Sequence, residues 1–221
     1  MCGRFALLSA PEEIRRQFGY GEQPNFPPRY NIAPTQAVPV VFAEHGVRHF
    51  RLMRWGLIPS WVKDPKQFAL LLNARIESIN DKPSFRGAMK YRRGLIPADG
   101  FYEWRKQGKT KQPFFIRARG GEPFAFAALY ETYTDKDGGE IDTAAIVTTS
   151  ANGTLAPIHE RMPVIVPPEN CEAWLDCNRV DAKQAAALVG RAPDDFLEAI
   201  PVSPRVNSVK NDDPENLAPA A

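Results

Sequence analysis

Between residues 94 and 149 the chain runs through five β-prone segments, and no other stretch limits its possible folds so strongly. These are residues 94–98, 101–106, 113–119, 124–132 and 143–149, with glycine-bearing polar turns at 107–111 and 135–140. Upstream, residues 38–42 and 48–55 are a further β pair about Glu44-His45-Gly46, and 162–166 reads as one more strand. Helical patterns are short and lie to either side of this β-rich middle. Ser9-Ala10-Pro11-Glu12 reads as a capping box, with Ile14 and Phe18 four apart and Gly19 as the stop. Residues 78–93 predict one or two short helices with a basic exit at Lys90, Arg92 and Arg93. Pro168 and Asp181 predict two more helix starts, and Cys171 and Cys177 fall in the first of these. Residues 56–67 read as an ordered loop and the tail from about Asp212 as loose. With no repeat and no sharp shift of composition, one domain over residues 1–221 is expected.

At 43% hydrophobic and 10% aromatic, 221 residues suffice for a substantial core. No run of 18 apolar residues occurs and the start does not read as a signal peptide, so membrane insertion and secretion are not expected and the cytosol is. Three cysteines, an odd and small number, agree with a reducing compartment. The net charge of +2 conceals a division. Residues 1–119 carry 21 Lys and Arg against 9 Asp and Glu, whereas residues 120–221 carry 7 against 17. Such asymmetry suits a protein with one face toward a polyanion, provided that the charges do not mix in three dimensions.

Four short polar insertions between apolar runs are candidates for chemistry. Loss of Met1 would leave Cys2 with a free α-amine beside its thiol, with ordinary pKa values of about 7.7–8.0 and about 8.5, so both nucleophiles are partly available near neutral pH. Asn73 ends an apolar run and either orients a nucleophile or caps the next helix; Arg75 beside it suits a phosphate or an ion pair with Glu77. Glu103, between Tyr102 and Trp104, is a proton carrier if buried and an ordinary solvent-facing residue if not. His159, between a Gly-Thr loop and a strand, suits acid or base work or a structural role. Aromatic residues also interleave with cations: Trp55, Trp61 and Phe68 among Arg54, Lys63 and Lys66, then Tyr102 and Trp104 before Arg105, Lys106, Lys109 and Lys111. This composition suits single-stranded nucleic acid or, alternatively, an aromatic core with a basic rim. Cys171 and Cys177 read as structural thiols, and no metal site or cofactor is expected.

Taken in order, Met1-Cys2-Gly3-Arg4, Arg29-Tyr30-Asn31-Ile32-Ala33-Pro34, Trp55-Gly56, Asn73-Ala74-Arg75-Ile76-Glu77, Asp99-Gly100-Phe101-Tyr102-Glu103-Trp104 and His159-Glu160-Arg161-Met162-Pro163 resemble the SOS response-associated peptidase (SRAP) family. Val202-Ser203 and Val206-Asn207 resemble its C-terminal signature. The resemblance implies a single α+β domain with a mainly antiparallel, β-barrel-like core and short peripheral helices. It also implies a monomer that joins the nucleoid when bound to DNA, and a cleft for single-stranded DNA containing abasic sites. Carried over, Cys2 is the nucleophile that cross-links to the lesion, Asn73, Glu103 and His159 are its partners, Arg4, Arg75 and Arg161 meet phosphates, and Trp61 stacks. The sequence departs from the family pattern in placing Val62 after Trp61, where a second tryptophan is expected. Two other readings of the same residues stand beside this one. A cysteine peptidase would in its minimal form remove its own Met1 and in its full form turn over unrelated peptides, and a non-covalent reader of single-stranded or modified DNA would bind in a salt-sensitive way without Cys2.

Overall fold

The computed structural model describes residues 2–220, so the expected loss of Met1 lies outside the described residues. Its strands in chain order are β1 (Phe5–Leu7), β2 (Arg29–Ile32), β3 (Ala37–Glu44), β4 (Val47–Trp55), β5 (Asn73–Arg75) and β6 (Arg93–Ala98). They continue with β7 (Gly100–Gln107), β8 (Thr110–Ala118), β9 (Phe124–Thr134), β10 (Glu140–Ser150), β11 (Arg161–Pro163) and β12 (Leu197–Pro201). Four short helices flank them: α1 (Pro11–Phe18), α2 (Arg86–Tyr91), α3 (Cys171–Leu175) and α4 (Ala182–Ala187). The expected α+β class is therefore met.

One sheet is a closed barrel. Strands β10, β4, β3, β6 and β9 are neighbours in that order, and β9 returns to pair with β10, so the barrel has no free edge. Most of its pairings are antiparallel. The β3–β4 hairpin turns through His45 and Gly46, both in the left-handed region at φ 50° and 79°, which is the two-residue turn that matches strand twist. The seam differs: β10 runs parallel to β4 at Thr143 and Ala144, then parallel to β5 from Ile146 to Thr148. The chain can change partner there because Gly56, at φ 130°, turns β4 away, and a Cβ at that position would stand 2.5 Å from Leu70 Cδ1.

The second sheet is antiparallel throughout, in the order β12-β8-β7-β1-β2. Its inner face packs on the barrel. Phe5 of β1 meets Trp55 and Phe126 edge-on at 5.3 Å and 5.7 Å between ring centroids, and one buried cluster takes in Cys2, Phe5, Phe101, Phe126 and Trp174. Each such buried ring contributes about 2–3 kcal/mol by area, so this seam holds the sheets in a fixed relation. That relation positions the candidate site.

Three local expectations fail for identifiable reasons. Ser9 does not cap α1, whose N-cap is Ala10. The Asp99 carboxylate draws Ser9 instead: Ser9 Oγ donates to it at 2.6 Å, and the N–H groups of Leu8 and Ser9 donate at 2.6 Å and 2.9 Å. A charged acceptor from the β6–β7 corner outcompetes helix N–H groups. Arg93 does not belong to a basic exit. It is buried and donates to the carbonyls of Met89, Trp174, Asp176 and Val180, fastening α3 to the barrel. The tail from Asp212 is not loose either: Asp212 pairs with Arg29 and Asn216 is fully buried.

Candidate active site

Cys2 lies three residues before β1, and β1 lies between β2 and β7. The chain start is therefore delivered to the middle of β7, where Tyr102 N donates to Arg4 O at 3.0 Å. The Cys2 thiol faces that same carbonyl at 3.9 Å. Alternation along β7 sends Tyr102 into a small outer cluster, where its hydroxyl donates to Tyr30 O at 2.7 Å, and turns Phe101 toward the main core. Glu103, two residues beyond Phe101, shares its face with Phe101 and with Cys2.

Both groups are buried, Cys2 fully and Glu103 with 2% of its surface exposed. Burial pushes the Cys2 thiol well up from its ordinary range, and the negative field of Glu103 adds to the rise. Burial likewise raises Glu103, although the charge of His159 and the N–H of Trp104 oppose it. Both shifts run in the direction of the protonated form.

Asn73 comes from the other sheet, at the start of β5. Its Nδ2 donates to Cys2 O at 3.0 Å, while its Oδ1 is buried with no hydrogen-bond partner among the described residues. The parallel pairing of β5 with β10 brings it there. It holds the Cys2 carbonyl and does not cap a helix, since the 3-10 turn that follows has Arg75 as its N-cap with no side-chain bond. His159 stands before β11, on the opposite edge of β10. Its Nδ1 lies 2.9 Å from the backbone nitrogen of Arg161 and 3.2 Å from the Arg161 carbonyl oxygen, contacts that orient the ring. The structure therefore brings Cys2, Asn73, Glu103 and His159 together from four separate parts of the sequence. Glu103 and His159 also line an open cleft of about 460 Å³ with Trp104, Lys111 and Asn207.

The arginines and Trp61 separate by environment. Arg161 grips Glu77 through both terminal nitrogens at 2.8 Å and 2.9 Å and also donates to Thr148 O. That pairing pulls Glu77 below the usual carboxylate range. Arg75, two residues before Glu77, is exposed and has no ion pair among the described residues. Arg4 donates to Asn31 Oδ1, Val206 O and Asn207 O. Trp61 is 56% exposed, packs edge-on against Phe68, and does not line the cleft. Sequence reasoning gave no site role to Asn207, which accepts from Trp104 Nε1 at 2.7 Å; its one signal was membership of the Val206-Asn207 signature. Among the described residues no three His, Cys, Asp or Glu side chains cluster as metal ligands would, and no helix is long and apolar enough to cross a membrane.

A stability effect follows from Glu103. Its folded pKa lies above the unfolded value, so the folded protein holds the proton over a pH window in which the unfolded chain has lost it, and stability falls as pH rises through that window. Glu103→Gln is expected to melt above the wild type at pH 7, with the gap closing near pH 4. Scanning calorimetry at both pH values checks this, and an equal or lower melting temperature at pH 7 contradicts it.

A buried cysteine at the chain start, flanked by a protonatable glutamate, an oriented histidine and an asparagine on its own carbonyl, defines a class of cysteine-centred sites built where a closed barrel meets a second sheet. The family model described as "SOS response associated peptidase (SRAP)" matches residues 1–209, and the chain belongs to that family. It is 40% identical to the abasic site processing protein YoqW of Bacillus subtilis (strain 168), over 97% of this chain and 98% of that protein. It is 33% identical to the abasic site processing protein YedK of Escherichia coli (strain K12), over 99% and 100% of the two chains. The fold matches a crystal structure of a Bacteroides thetaiotaomicron protein with a TM-score of 0.89 and 26% identity, covering all of both chains.

Proposed function

We propose that the protein captures abasic sites in single-stranded DNA by forming a covalent cross-link through Cys2 after Met1 is removed. The observation that carries the reading is the meeting of Cys2 with Asn73, Glu103 and His159 beside a cleft, in a chain 40% identical to a protein named for abasic site processing. An abasic deoxyribose exposes an aldehyde at C1′ when its ring opens, and a proton donor to the ring oxygen promotes opening. Glu103 or His159 supplies that proton. The α-amine of Cys2, once free, adds to the aldehyde carbon, and the adduct loses water to give an imine. The Cys2 sulfur then adds to the imine carbon, and the thiol proton passes through Glu103 to the nitrogen, closing a thiazolidine ring. No atom is gained or lost beyond the one water. Asn73 holds the Cys2 backbone in attack geometry, with Oδ1 as acceptor for the amine. Closing the ring removes the imine that would otherwise promote β-elimination, so the strand is protected from cleavage.

A buried, protonated thiol suits this order of events: the amine, not the sulfur, makes the first bond. Intact mass of the purified protein before and after incubation with abasic single-stranded DNA is the test. The expected result is a Met1-free protein that gains the mass of the DNA less one water. An adduct mapped away from Cys2, or none, overturns the reading. Repeated turnover of unrelated peptides would instead favour a cysteine peptidase.

Phosphate contact falls first to Arg75, because it is exposed while Arg161 and Arg4 are engaged within the protein. Arg75→Glu is expected to weaken binding of single-stranded DNA of any sequence and to reduce the salt slope of log K by about one. Fluorescence anisotropy titrations across salt concentrations measure both quantities. An unchanged slope would remove Arg75 from the interface.

A further inference from the structure

We propose that Asn31 is a positioning residue, the node through which the C-terminal arm, residues 203–217, holds both Cys2 and the wall of the cleft in register. The inference rests on the capture reading for its kinetic part alone. Strand β2 is an edge of the second sheet, and its outer side is covered by the arm and not by another strand. The Asp212 carboxylate takes the place of that missing strand, accepting the N–H of Tyr30 at 2.6 Å and of Asn31 at 2.8 Å and pairing with Arg29.

The Asn31 side chain is fully buried. Its Nδ2 faces three carbonyls of the arm, Val206 at 3.2 Å, Ser208 at 3.0 Å and Asn211 at 2.7 Å, and its Oδ1 accepts from Arg4 at 2.8 Å. Two routes lead from this node to the site. One runs through Arg4, whose side chain is held by Asn31 and the arm while its carbonyl faces the Cys2 thiol and pairs with Tyr102, next to Glu103. The other runs through the arm to Asn207, which fixes the Trp104 indole beside Glu103 in the cleft. A single buried amide thus ties the strand that delivers the nucleophile to the side chains that the substrate would meet. Bulk binding of DNA does not need this tie, whereas attack geometry does.

The test uses Asn31→Ala, which removes the node, and Asp212→Ala, which releases the arm from the β2 edge without opening the interior. Two readouts are taken on the full chain. In the first, the Trp104 indole N–H resonance, assigned with Trp104→Phe, is expected to move upfield in both variants as the Asn207 bond is lost. In the second, single-turnover capture of abasic DNA is expected to slow about tenfold at saturating DNA, with the half-saturating concentration changed less than about twofold. An unmoved indole resonance in folded variants overturns the role of Asn31 as the node, as does a loss confined to half-saturation. If Asn31→Ala does not fold, Asp212→Ala decides alone. If the wild type captures no DNA, the functional reading fails and the indole readout still decides whether the arm is coupled to the cleft.

Discussion

Cys2→Ala is expected to yield no covalent adduct with abasic single-stranded DNA under conditions where the wild type is fully converted. Non-covalent binding should change little, because the substitution removes a buried sulfur and leaves Arg75 and the cleft-lining Trp104 and Lys111 in place. The effect is all-or-none for a chemical reason. Without the sulfur the α-amine can still form an imine, but the imine cannot close into a ring and remains open to hydrolysis or β-elimination. Denaturing gels after borohydride treatment distinguish the outcomes: a trapped species that appears only with reductant marks an arrested imine. A stable adduct in Cys2→Ala without reductant would overturn the role of the sulfur. Retention of Met1 is expected to give no stable adduct in the absence of reductant, because the Cys2 nitrogen is then an amide and cannot share a thiazolidine ring with the sulfur.

Glu103→Gln is expected to slow capture by about a hundredfold, the lower end of what a positioned acid or base contributes, while DNA affinity stays near that of the wild type. The pH profile carries the sharper information. Because burial raises the Glu103 pKa, the carboxylate form that accepts the thiol proton appears only as pH climbs above the ordinary value of about 4.3. Capture by the wild type should therefore rise with pH along a limb displaced to higher pH than an exposed glutamate would give. In Glu103→Gln that limb should be absent. Single-turnover rates at saturating DNA from pH 4 to 8 measure it. An unchanged limb in the variant would assign the proton transfer to His159 instead.

The same glutamate shows a tension between stability and chemistry. A buried acid held near Cys2 costs stability at neutral pH, which is why Glu103→Gln is expected to be the more stable and the slower protein. The outer ion pairs are different in kind. Arg117–Glu198 and Arg51–Asp142 lie on the surface and contribute little, so their loss should leave both stability and capture nearly unchanged.

Local chemistry was legible wherever neighbours in sequence decide the outcome. The His45-Gly46 turn, the Gly19 stop of α1, the Asp181 cap of α4 and the long β segments are all set by backbone preferences acting over a few residues. The residues that meet at Cys2 could be picked out as well, though through the ordered motifs and not through any one spacing, since Asn73, Glu103 and His159 each have ordinary alternatives when read alone. Pairings across the chain were not legible. Ser9 has two possible acceptors, and only the position of Asp99 decides between them. Glu77 is two residues from Arg75 in sequence yet pairs with Arg161, because β5 and β11 flank the same stretch of β10.

By itself, then, the sequence determined the class of fold and the family, because periodicity, turn chemistry and motif order are written in the chain itself. Only the tertiary structure decided that the barrel closes through a parallel seam, that Arg93 is an internal brace, and that residues 203–217 form an arm over the β2 edge. It also decided the environment of Cys2. Burial and a neighbouring carboxyl set the protonation of a thiol, and both come from strands far away in the chain.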